Sequence, residues 1–177
     1  MVIEHGVTIG GKPLKDHLEA VDHFEALRCV RDLARHSAPL READIATCIG
    51  SSCSAQTPTR PGATPTQGRY VETDSGRHHF PSPAEVPSLV GELAQRLDTA
   101  AANSETAFAA HRRLVEIHPF NDGNGRTARL LMNLVRLRCG YPPVAVRPQD
   151  RPSYIGASQD AQAGRGSERF DPFFTSD

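Results

Sequence analysis

Apolar side chains recur every three or four positions along most of this chain, the spacing that places them on one face of an α-helix. The longest series spans residues 14 to 36, and shorter series follow Ser82, Ser104 and Thr127. The first series consists of Leu14, Leu18, Val21, Phe24, Leu27, Val30 and Leu33. The pattern therefore predicts a mainly α-helical fold, with a further short helix over residues 150 to 164.

Helix-start signals divide the first half of the chain. Residues 37 to 50 begin with a serine and a proline and end with a glycine, which predicts a second helix there. Ser82 and Glu85 stand three apart, as in a capping box, with Pro83 between them. A helix is therefore expected from Pro83, and it could restart at Pro87.

Proline and glycine mark the boundary between two later helices. Pro119 disfavours helical conformation in the residue before it, so one helix is expected to end at His118. The next is expected to begin near Asn124 or Gly125 and to run to Cys139, where another glycine follows. A tight glycine-containing turn should therefore join the two helices.

Two stretches interrupt the helical pattern. Residues 51 to 68 are rich in Ser, Thr, Pro and Gly, which predicts an irregular loop. Residues 69 to 80 carry a turn signal between two short extended runs, which predicts a small β-hairpin. Residues 164 to 177 are expected to form a short C-terminal tail, and 177 residues fit one domain.

Composition and charge narrow the functional classes. A formal net charge of -1, with arginines scattered among acids, argues against nucleic-acid binding. No run reaches the about 18 apolar residues of a membrane-spanning helix, and the start lacks a secretory signal pattern. The four cysteines form no CxxC pair, which argues against a zinc or redox motif. A cytoplasmic location is the default expectation, although a translocated effector has the same composition.

The segment HPFNDGNGRTARLL is the most informative in the chain. Gly123 and Gly125 flank Asn124 at an expected helix N-terminus, where backbone N–H groups and the helix dipole attract anions. The Asn124 side chain offers a further donor. Arg126 and Arg129 are three apart, so both can reach oxygens of a polyphosphate from the first turn. The segment therefore predicts a polyphosphate site.

Two acid–base groups in the same segment indicate transfer chemistry. Asp122 suits a Mg²⁺ ion that bridges phosphate oxygens. His118, with an ordinary pKa of about 6.5, can take a proton from an attacking hydroxyl. Together these parts predict transfer from a Mg-nucleotide to a hydroxyl. A nucleotide-binding module without turnover is one alternative. A metal hydrolase that also uses His111 is disfavoured, because His111 and His118 lie about 10 Å apart along a helix.

The run HPFNDGNGRTAR resembles, position by position, the signature HxFx(D/E)GNGRxxR of the Fic family, whose members are mostly AMP transferases. The similarity extends to RLLMNLVRLRCGYPP, to GRHHFPSPAEVPSLV and to the first predicted helix. It implies a single Fic domain over residues 1 to 177. In that domain a helical-bundle core would carry a β-hairpin flap at residues 69 to 80 and the Fic motif at residues 118 to 129.

The resemblance also implies residue roles in the motif. His118 would be the base that deprotonates a Tyr, Thr or Ser hydroxyl of a target protein, which then attacks the α-phosphorus of ATP. Asp122 would hold Mg²⁺ between the α- and β-phosphates. Gly123, Asn124 and Gly125 would form an anion nest, in which backbone N–H groups bind phosphate. Arg126 and Arg129 would bind the more distal phosphates.

Two outer parts of the site follow from the same resemblance. The flap would pair with an extended segment of the target through Arg77, His78, His79 and Phe80. Tyr154 falls where relatives often carry an aromatic residue near the adenine. Stacking on adenine and a place in the core are both open for Tyr154.

The sequence leaves open which group is transferred and how the activity is regulated. Both motif glycines are intact, which favours AMP from ATP over the UMP, phosphocholine or phosphate that other branches transfer. Many relatives are inhibited by a helix with the pattern (S/T)xxxE(G/N), whose glutamate pairs with the second motif arginine, here Arg129. No such segment is found in this sequence. A separate antitoxin-like protein that supplies the glutamate is the favoured explanation, beside a trimmed chain or an uninhibited enzyme.

Overall fold

The structure, a computed structural model, describes residues 14–36, 41, 43, 45, 68–73, 76–101 and 103–162. The helices are α1 (Leu14–Arg35), α2 (Val86–Thr99), α3 (Ser104–Ile117), α4 (Asn124–Arg138) and α5 (Arg151–Gln162). A hairpin, β1 (Tyr70–Thr73) and β2 (Gly76–His79), follows α1 in the described order. The predicted mainly helical fold with one small hairpin is therefore confirmed.

Three of the predicted segments fall largely outside the described residues. They are the helix at 37–50, the loop at 51–68 and the tail at 164–177. Within the first of them, Ala43 and Ile45 are helical, and Ile45 is buried in the hydrophobic core.

Helices α3 and α4 form the centre of the fold. They pack most extensively against each other, while α1 packs on α4, and α2 and α5 pack on α3. The Asn103 side chain caps α3, since its Oδ1 accepts the Thr106 N–H at 2.8 Å. Almost every turn of α4 is buried, which explains why its apolar positions extend beyond a single face. In the described part of the chain, no helix has the length and apolar character needed to cross a bilayer.

The turn between α3 and α4 contains two residues in the left-handed backbone region. His118 ends α3 in the left-handed region, at φ 51° and ψ 55°, a backbone conformation that few residues other than glycine adopt. Gly123 begins α4 at φ 83°, where the absence of a Cβ makes the same region easily accessible. The chain therefore reverses direction within five residues, and the motif lies at the meeting ends of the two central helices.

Helix α2 begins three residues later than the capping-box pattern predicts. The Glu85 carboxylate accepts both the Ser82 N–H, at 2.9 Å, and the Ser82 hydroxyl, at 2.6 Å. The residues between them form a turn, and the helix starts at Val86. Pro87 explains the shift: it has no N–H to donate and is tolerated only in the first turn. The prediction of a helix from Pro83 was therefore wrong for its first three residues, and the helix begins one residue before Pro87, where a restart was considered.

The hairpin is a regular antiparallel pair whose inner end points into the bundle. Its register pairs Tyr70 with His79 and Thr73 with Gly76. Arg77 on β2 lies over the Tyr70 ring, 4.0 Å from its centroid, which ties the two strands on one face. Phe80, directly after β2, is buried in the core. The hairpin is thus anchored to the bundle beside the α3–α4 turn.

The segment after α4 is held by side chains of α4 itself. Asn133 bonds Val144 twice: its Nδ2 donates to the carbonyl at 2.9 Å, and its Oδ1 accepts the N–H at 2.8 Å. Arg136 Nε donates to the Pro142 carbonyl at 3.0 Å. These bonds guide an extended segment back along α4, so that α5 packs on α3 beside the motif turn.

Candidate active site

His118 occupies the junction of α3, the hairpin and the motif turn. Its ring stacks on the Phe80 ring, with centroids 4.0 Å apart and planes 16° apart. Burial lowers the pKa of His118 to about 4, with a smaller contribution from Arg69 in the same direction and an opposing one from the Val115 carbonyl. Its Nδ1 is buried without a well-formed hydrogen bond to any described residue. At neutral pH the ring is therefore uncharged and able to accept a proton.

The motif turn is closed by a pair of hydrogen bonds between Asn124 and Phe120. Asn124 Oδ1 accepts the Phe120 N–H at 2.9 Å, and its Nδ2 donates to the Phe120 carbonyl at 2.7 Å. Asn124 is only 3% exposed, and the Phe120 ring is buried in the core. The amide donor of Asn124 predicted for an anion is thus engaged by the turn. Asn124 shapes the nest instead of presenting its side chain to a ligand.

Arg69 joins the hairpin to the motif turn, a role that the sequence did not reveal. Its Nη1 donates to the Phe120 carbonyl at 2.5 Å, across 51 residues of sequence. Its Nη2 is buried and bonded to no described residue, and its guanidinium carbon lies 5.8 Å from the Phe80 ring centroid. Arg69 therefore places a positive charge beside His118, which explains its contribution to the low pKa of that ring.

Asp122 already occupies the anion position at the start of α4. Its Oδ1 accepts the Gly123 N–H at 2.7 Å, and its Oδ2 accepts from Arg126 Nη2 at 3.1 Å. A carboxylate is stabilised there by the unpaired N–H groups and dipole of the helix N-terminus. The Asp122 side chain is nevertheless 80% exposed. The carboxylate therefore has room to change its rotamer.

Arg129 lies one turn further along α4 and contacts a buried polar pair. Its Nη1 lies 3.3 Å from the Tyr154 hydroxyl, which in turn lies 2.7 Å from His111 Nε2. Tyr154 is 5% exposed and belongs to the hydrophobic core. Of the two roles left open for Tyr154, its position supports the core role, because little of the ring is accessible to a base.

The side chain of His111, the buried histidine of α3, contacts Tyr154 through Nε2, and that nitrogen is not available as a metal ligand. His111 Nε2 contacts the Tyr154 hydroxyl, and the described residues hold no group of three His, Cys, Asp or Glu side chains suited to a metal ion. Burial first, and then the charges of Arg129 and Arg112, lower the pKa of His111 to about 3. These contacts favour a neutral structural histidine over the hydrolase alternative.

The motif residues face a cleft of about 930 Å³. Its lining includes His118, Asp122, Asn124, Gly125, Arg126, Arg129 and Tyr154 from the predicted set. It also includes residues that the sequence analysis did not identify, among them Val71, Val146, Arg151, Ile155, Ser158 and Gln159. Gly123 and the four flap residues Arg77, His78, His79 and Phe80 are not part of this lining. The structure thus brings the predicted nucleotide site together and leaves the outer strand of the hairpin outside it.

Charge in the cleft favours an anionic ligand. Arg126, Arg129 and Arg151 contribute three guanidinium groups, against the single carboxylate of Asp122. Among the described residues, no carboxylate pairs with Arg129. A partly buried guanidinium without an anionic partner is costly unless a ligand supplies one. The cleft therefore has the charge expected of a polyphosphate site.

Helix α5 supplies the wall of the cleft opposite the motif. Arg151, Ile155, Ser158 and Gln159 are spaced by about one turn, so they share one face. Their helical spacing was visible in the sequence, but which face meets α4 depends on the path of the preceding segment. Ile155 is 44% exposed, directly beside the buried Tyr154, and offers an apolar surface within the cleft.

Sequence comparisons connect this cleft with known proteins. A sequence model of the Fic/DOC family matches residues 39–135. Protein adenylyltransferase fic-1 of Caenorhabditis elegans is 32% identical over 169 residues, which cover 92% of this chain and 32% of that protein. Protein adenylyltransferase Fic of Drosophila grimshawi is 32% identical over 157 residues, 86% of this chain and 32% of that protein. The chain thus spans about a third of the length of these curated relatives.

Solved structures show the same fold. A Fic domain containing signaling protein from Bacteroides thetaiotaomicron superimposes with a TM-score of 0.81 at 27% identity, over 97% of this chain and 70% of that one. Fic-1 from Caenorhabditis elegans gives a TM-score of 0.80 at 28% identity, over 97% of this chain and 51% of that one. The similarity therefore covers the helical bundle together with the hairpin.

Proposed function

The chain belongs to the Fic/DOC family, and from that premise we propose that it is a protein adenylyltransferase, which transfers AMP from ATP to a hydroxyl of a target protein. The observation that carries the proposal is the juxtaposition of a neutral histidine, His118, with a positively charged cleft that ends at Arg129. A base beside an anion site is needed for transfer and is superfluous for binding alone. The curated relatives named protein adenylyltransferases support the same reaction.

The transfer step uses His118 as the base. Its ring takes the proton of the target hydroxyl while the hydroxyl oxygen attacks the α-phosphorus of ATP. The bond between the α-phosphorus and the oxygen that bridges to the β-phosphate breaks, and pyrophosphate leaves with that electron pair. The Phe80 ring beneath His118 fixes the plane of the base. Polyphosphate in the cleft raises the pKa of His118 above its value in the empty site, which improves it as a proton acceptor.

The distal phosphates bind at the start of α4. The Gly123 N–H and Arg126 bind the Asp122 carboxylate at the position proposed for a phosphate, and Arg129 lines the same cleft. An incoming phosphate displaces this carboxylate from the Gly123 N–H. The same guanidinium groups stabilise the charge that develops on the leaving pyrophosphate.

Asp122 fits Mg²⁺ as a single protein ligand. Mg²⁺ commonly binds through one or two carboxylates together with substrate phosphates and water, so a cluster of protein ligands is not required. The exposed carboxylate of Asp122 borders the cleft and meets this requirement. When bound, the ion would neutralise phosphate charge and orient the α-phosphate toward the attacking hydroxyl.

The target segment pairs with the outer edge of β2. Phe80 N–H donates to the Arg69 carbonyl at 2.9 Å, so this pair is hydrogen-bonded, and His78 is the next hydrogen-bonded position of β2. Arg77 and His79 therefore point their backbone groups away from β1, toward an added strand. Phe80 itself is buried and positions His118, so the target edge is limited to β2.

The adenine lies against α5 in this proposal. Ile155 offers an exposed apolar surface in the cleft, while Ser158 and Gln159 of the same face offer polar groups for the base edge. Inhibition by a glutamate from a separate antitoxin-like protein fits Arg129, which has no carboxylate partner among the described residues. A cytoplasmic setting is part of the same proposal.

The test is transfer of label from ATP labelled at the α-phosphate, with Mg²⁺, to proteins of a cell lysate. We expect labelled bands that disappear for His118→Ala and persist for His36→Ala, a matched change at an exposed histidine directly after α1. Parallel reactions use labelled UTP, CDP-choline and ATP labelled at the γ-phosphate. Label from one of those donors alone would overturn the donor assignment. ATP binding with no transfer from any donor would favour the binding module.

A further inference from the structure

Behind Arg129 lies a polar pair that the transfer chemistry does not use. His111 of α3 and Tyr154 of α5 are both buried, and their rings meet at a centroid distance of 5.8 Å. The pair joins α3 to α5, which pack against each other. Apolar side chains of similar size would fill this space without the cost of desolvating an imidazole and a phenol. A buried polar pair at this position therefore calls for a reason beyond packing.

The hydrogen-bond geometry connects the pair to the cleft. The Tyr154 oxygen lies 2.7 Å from His111 Nε2 and 3.3 Å from Arg129 Nη1. The Arg129 guanidinium carbon lies 5.6 Å from the centroid of the Tyr154 ring. Arg129 thus contacts both the hydroxyl and the ring of Tyr154, while its guanidinium also lines the cleft. One side of the guanidinium is fixed by the core, and the other faces the ligand.

Donor and acceptor chemistry gives this chain of contacts a direction. A guanidinium can only donate, so the Tyr154 oxygen accepts from Arg129. The phenol proton is then available to His111 Nε2, which can accept it only when unprotonated. Burial and the nearby Arg129 and Arg112 hold the pKa of His111 near 3, so the ring stays neutral over the working pH range. A neutral His111 makes Tyr154 a better acceptor for Arg129.

We propose that His111 and Tyr154 are positioning residues that hold the Arg129 guanidinium in the orientation that binds the distal phosphates of the nucleotide. The inference rests on the proposed function in one respect, the identity of the anion. Neither side chain needs to touch the nucleotide. Their contribution is the preorganisation of Arg129, which spares the ligand the cost of ordering a long, flexible side chain.

A double-mutant cycle tests the inference by calorimetric binding of ATP, AMP and inorganic tripolyphosphate. Tyr154→Phe keeps the ring and removes only the hydroxyl that contacts His111 and Arg129. We expect it to weaken binding of ATP and tripolyphosphate about 5- to 10-fold and binding of AMP, which lacks the distal phosphates, less than about twofold. In an Arg129→Ala background, Tyr154→Phe should have no further effect. Tyr141→Phe, at an exposed tyrosine beside Arg136, is the matched control.

Variants of His111 provide an independent test of the positioning role. His111→Gln keeps an acceptor for the Tyr154 hydroxyl and should retain most of the ATP affinity, whereas His111→Leu should reproduce the loss seen for Tyr154→Phe. A purely structural role predicts lower melting temperatures for these variants, with equal changes in ATP and AMP binding or none. That pattern, or a full Tyr154→Phe effect in the Arg129→Ala background, overturns the inference.

The inference and the proposed function have distinct failures. Tripolyphosphate binding with the expected coupling, but no AMP transfer, supports the positioning role and rejects adenylylation. AMP transfer and ATP binding without coupling between Tyr154 and Arg129 support adenylylation and reject the positioning role. A wild-type chain that binds neither ATP nor tripolyphosphate rejects both, because Arg129 would then have no anion to receive.

Discussion

The imidazole ring of His118 and the benzene ring of Phe80 lie in nearly parallel planes, 16° apart, with their centroids separated by 4.0 Å. His118 ends α3 in a left-handed conformation, where the helix meets the motif turn. Phe80 follows β2 and is buried. The hairpin that we propose to receive the target therefore also supports the base, which links target binding and proton transfer through one short segment.

Phe80→Leu tests the link. Leucine fills much of the core volume but cannot stack, so the His118 ring should sample other orientations. We expect kcat to fall about tenfold, with the affinity for ATP nearly unchanged, because a misplaced base costs rate and not nucleotide contacts. Phe24→Leu, on an exposed part of α1, is the control. Equal kcat values for the two variants would show that the stack has no part in orienting the base.

Arg69 should control the acidic limb of the pH–rate profile. His118 must be neutral to accept a proton, and its pKa of about 4 in the free protein means that kcat/KM is present above that pH and lost as the pH falls through it. Arg69→Gln removes the charge but keeps a donor for the Phe120 carbonyl, so the limb should move up from about 4 toward 6.5. Because burial is the larger cause of the low pKa, the shift should be partial.

Arg69→Lys supplies the comparison for that profile. It retains the positive charge beside His118, so its acidic limb should stay near that of the wild type. Measurement of kcat/KM from pH 3.5 to 8 for all three proteins separates the effect of charge from that of the hydrogen bond. A limb that moves equally in both variants would assign the effect to the Phe120 contact and not to electrostatics.

The sequence predicted the local elements and the grouping of the motif residues well, since both depend on residues close together in the chain. The helical periodicity and the stop at Pro119 gave α1, α3 and α4 with near-correct bounds. The order of His118, Asp122, the glycine turn and the arginines placed these side chains together in one cleft. Each of these depends on spacing within one or two helical turns, which is where sequence patterns are informative.

The contacts that the sequence could not predict join distant segments. Arg69 and Phe120 are 51 positions apart, and His111 and Tyr154 are 43 positions apart. No pattern in the neighbouring sequence predicts either pair. Without its partner, a buried arginine is predicted to be a surface charge and a buried histidine a candidate metal ligand. The cleft-facing side of α5 was hidden for the same reason: it depends on how Asn133 holds the segment before that helix.

Asn124 should be essential to the turn through both ends of its amide. Asn124→Ala removes two buried hydrogen bonds to Phe120, which should lower the free energy of unfolding by about 2 kcal/mol and abolish ATP binding. Asn124→Asp keeps an acceptor but sets a carboxylate against the Phe120 carbonyl, so it should not restore binding. Urea unfolding and calorimetry measure the two effects.

Asn103→Ala is the control for that loss of stability. It removes the α3 cap, which should lower the free energy of unfolding by about 1 kcal/mol, and it touches no residue of the cleft. ATP binding should therefore be unchanged under conditions where the protein is folded. Weakened binding in this variant as well would mean that the Asn124 result reflects general destabilisation.

Gly123 should tolerate no side chain, since its φ of 83° lies in the region where a Cβ meets the following carbonyl oxygen. Gly123→Ala should lower the free energy of unfolding by about 1 to 2 kcal/mol and weaken ATP binding, because relief of the strain turns the Gly123 N–H away from the anion. Gly91→Ala, inside α2 with open space around an added Cβ, should instead raise the free energy of unfolding by about 0.5 to 1 kcal/mol and leave binding unchanged. The two substitutions add the same methyl group, so opposite signs in urea unfolding would assign the Gly123 effect to its backbone conformation. A destabilisation of equal size at both positions would contradict the conformational requirement at the start of α4.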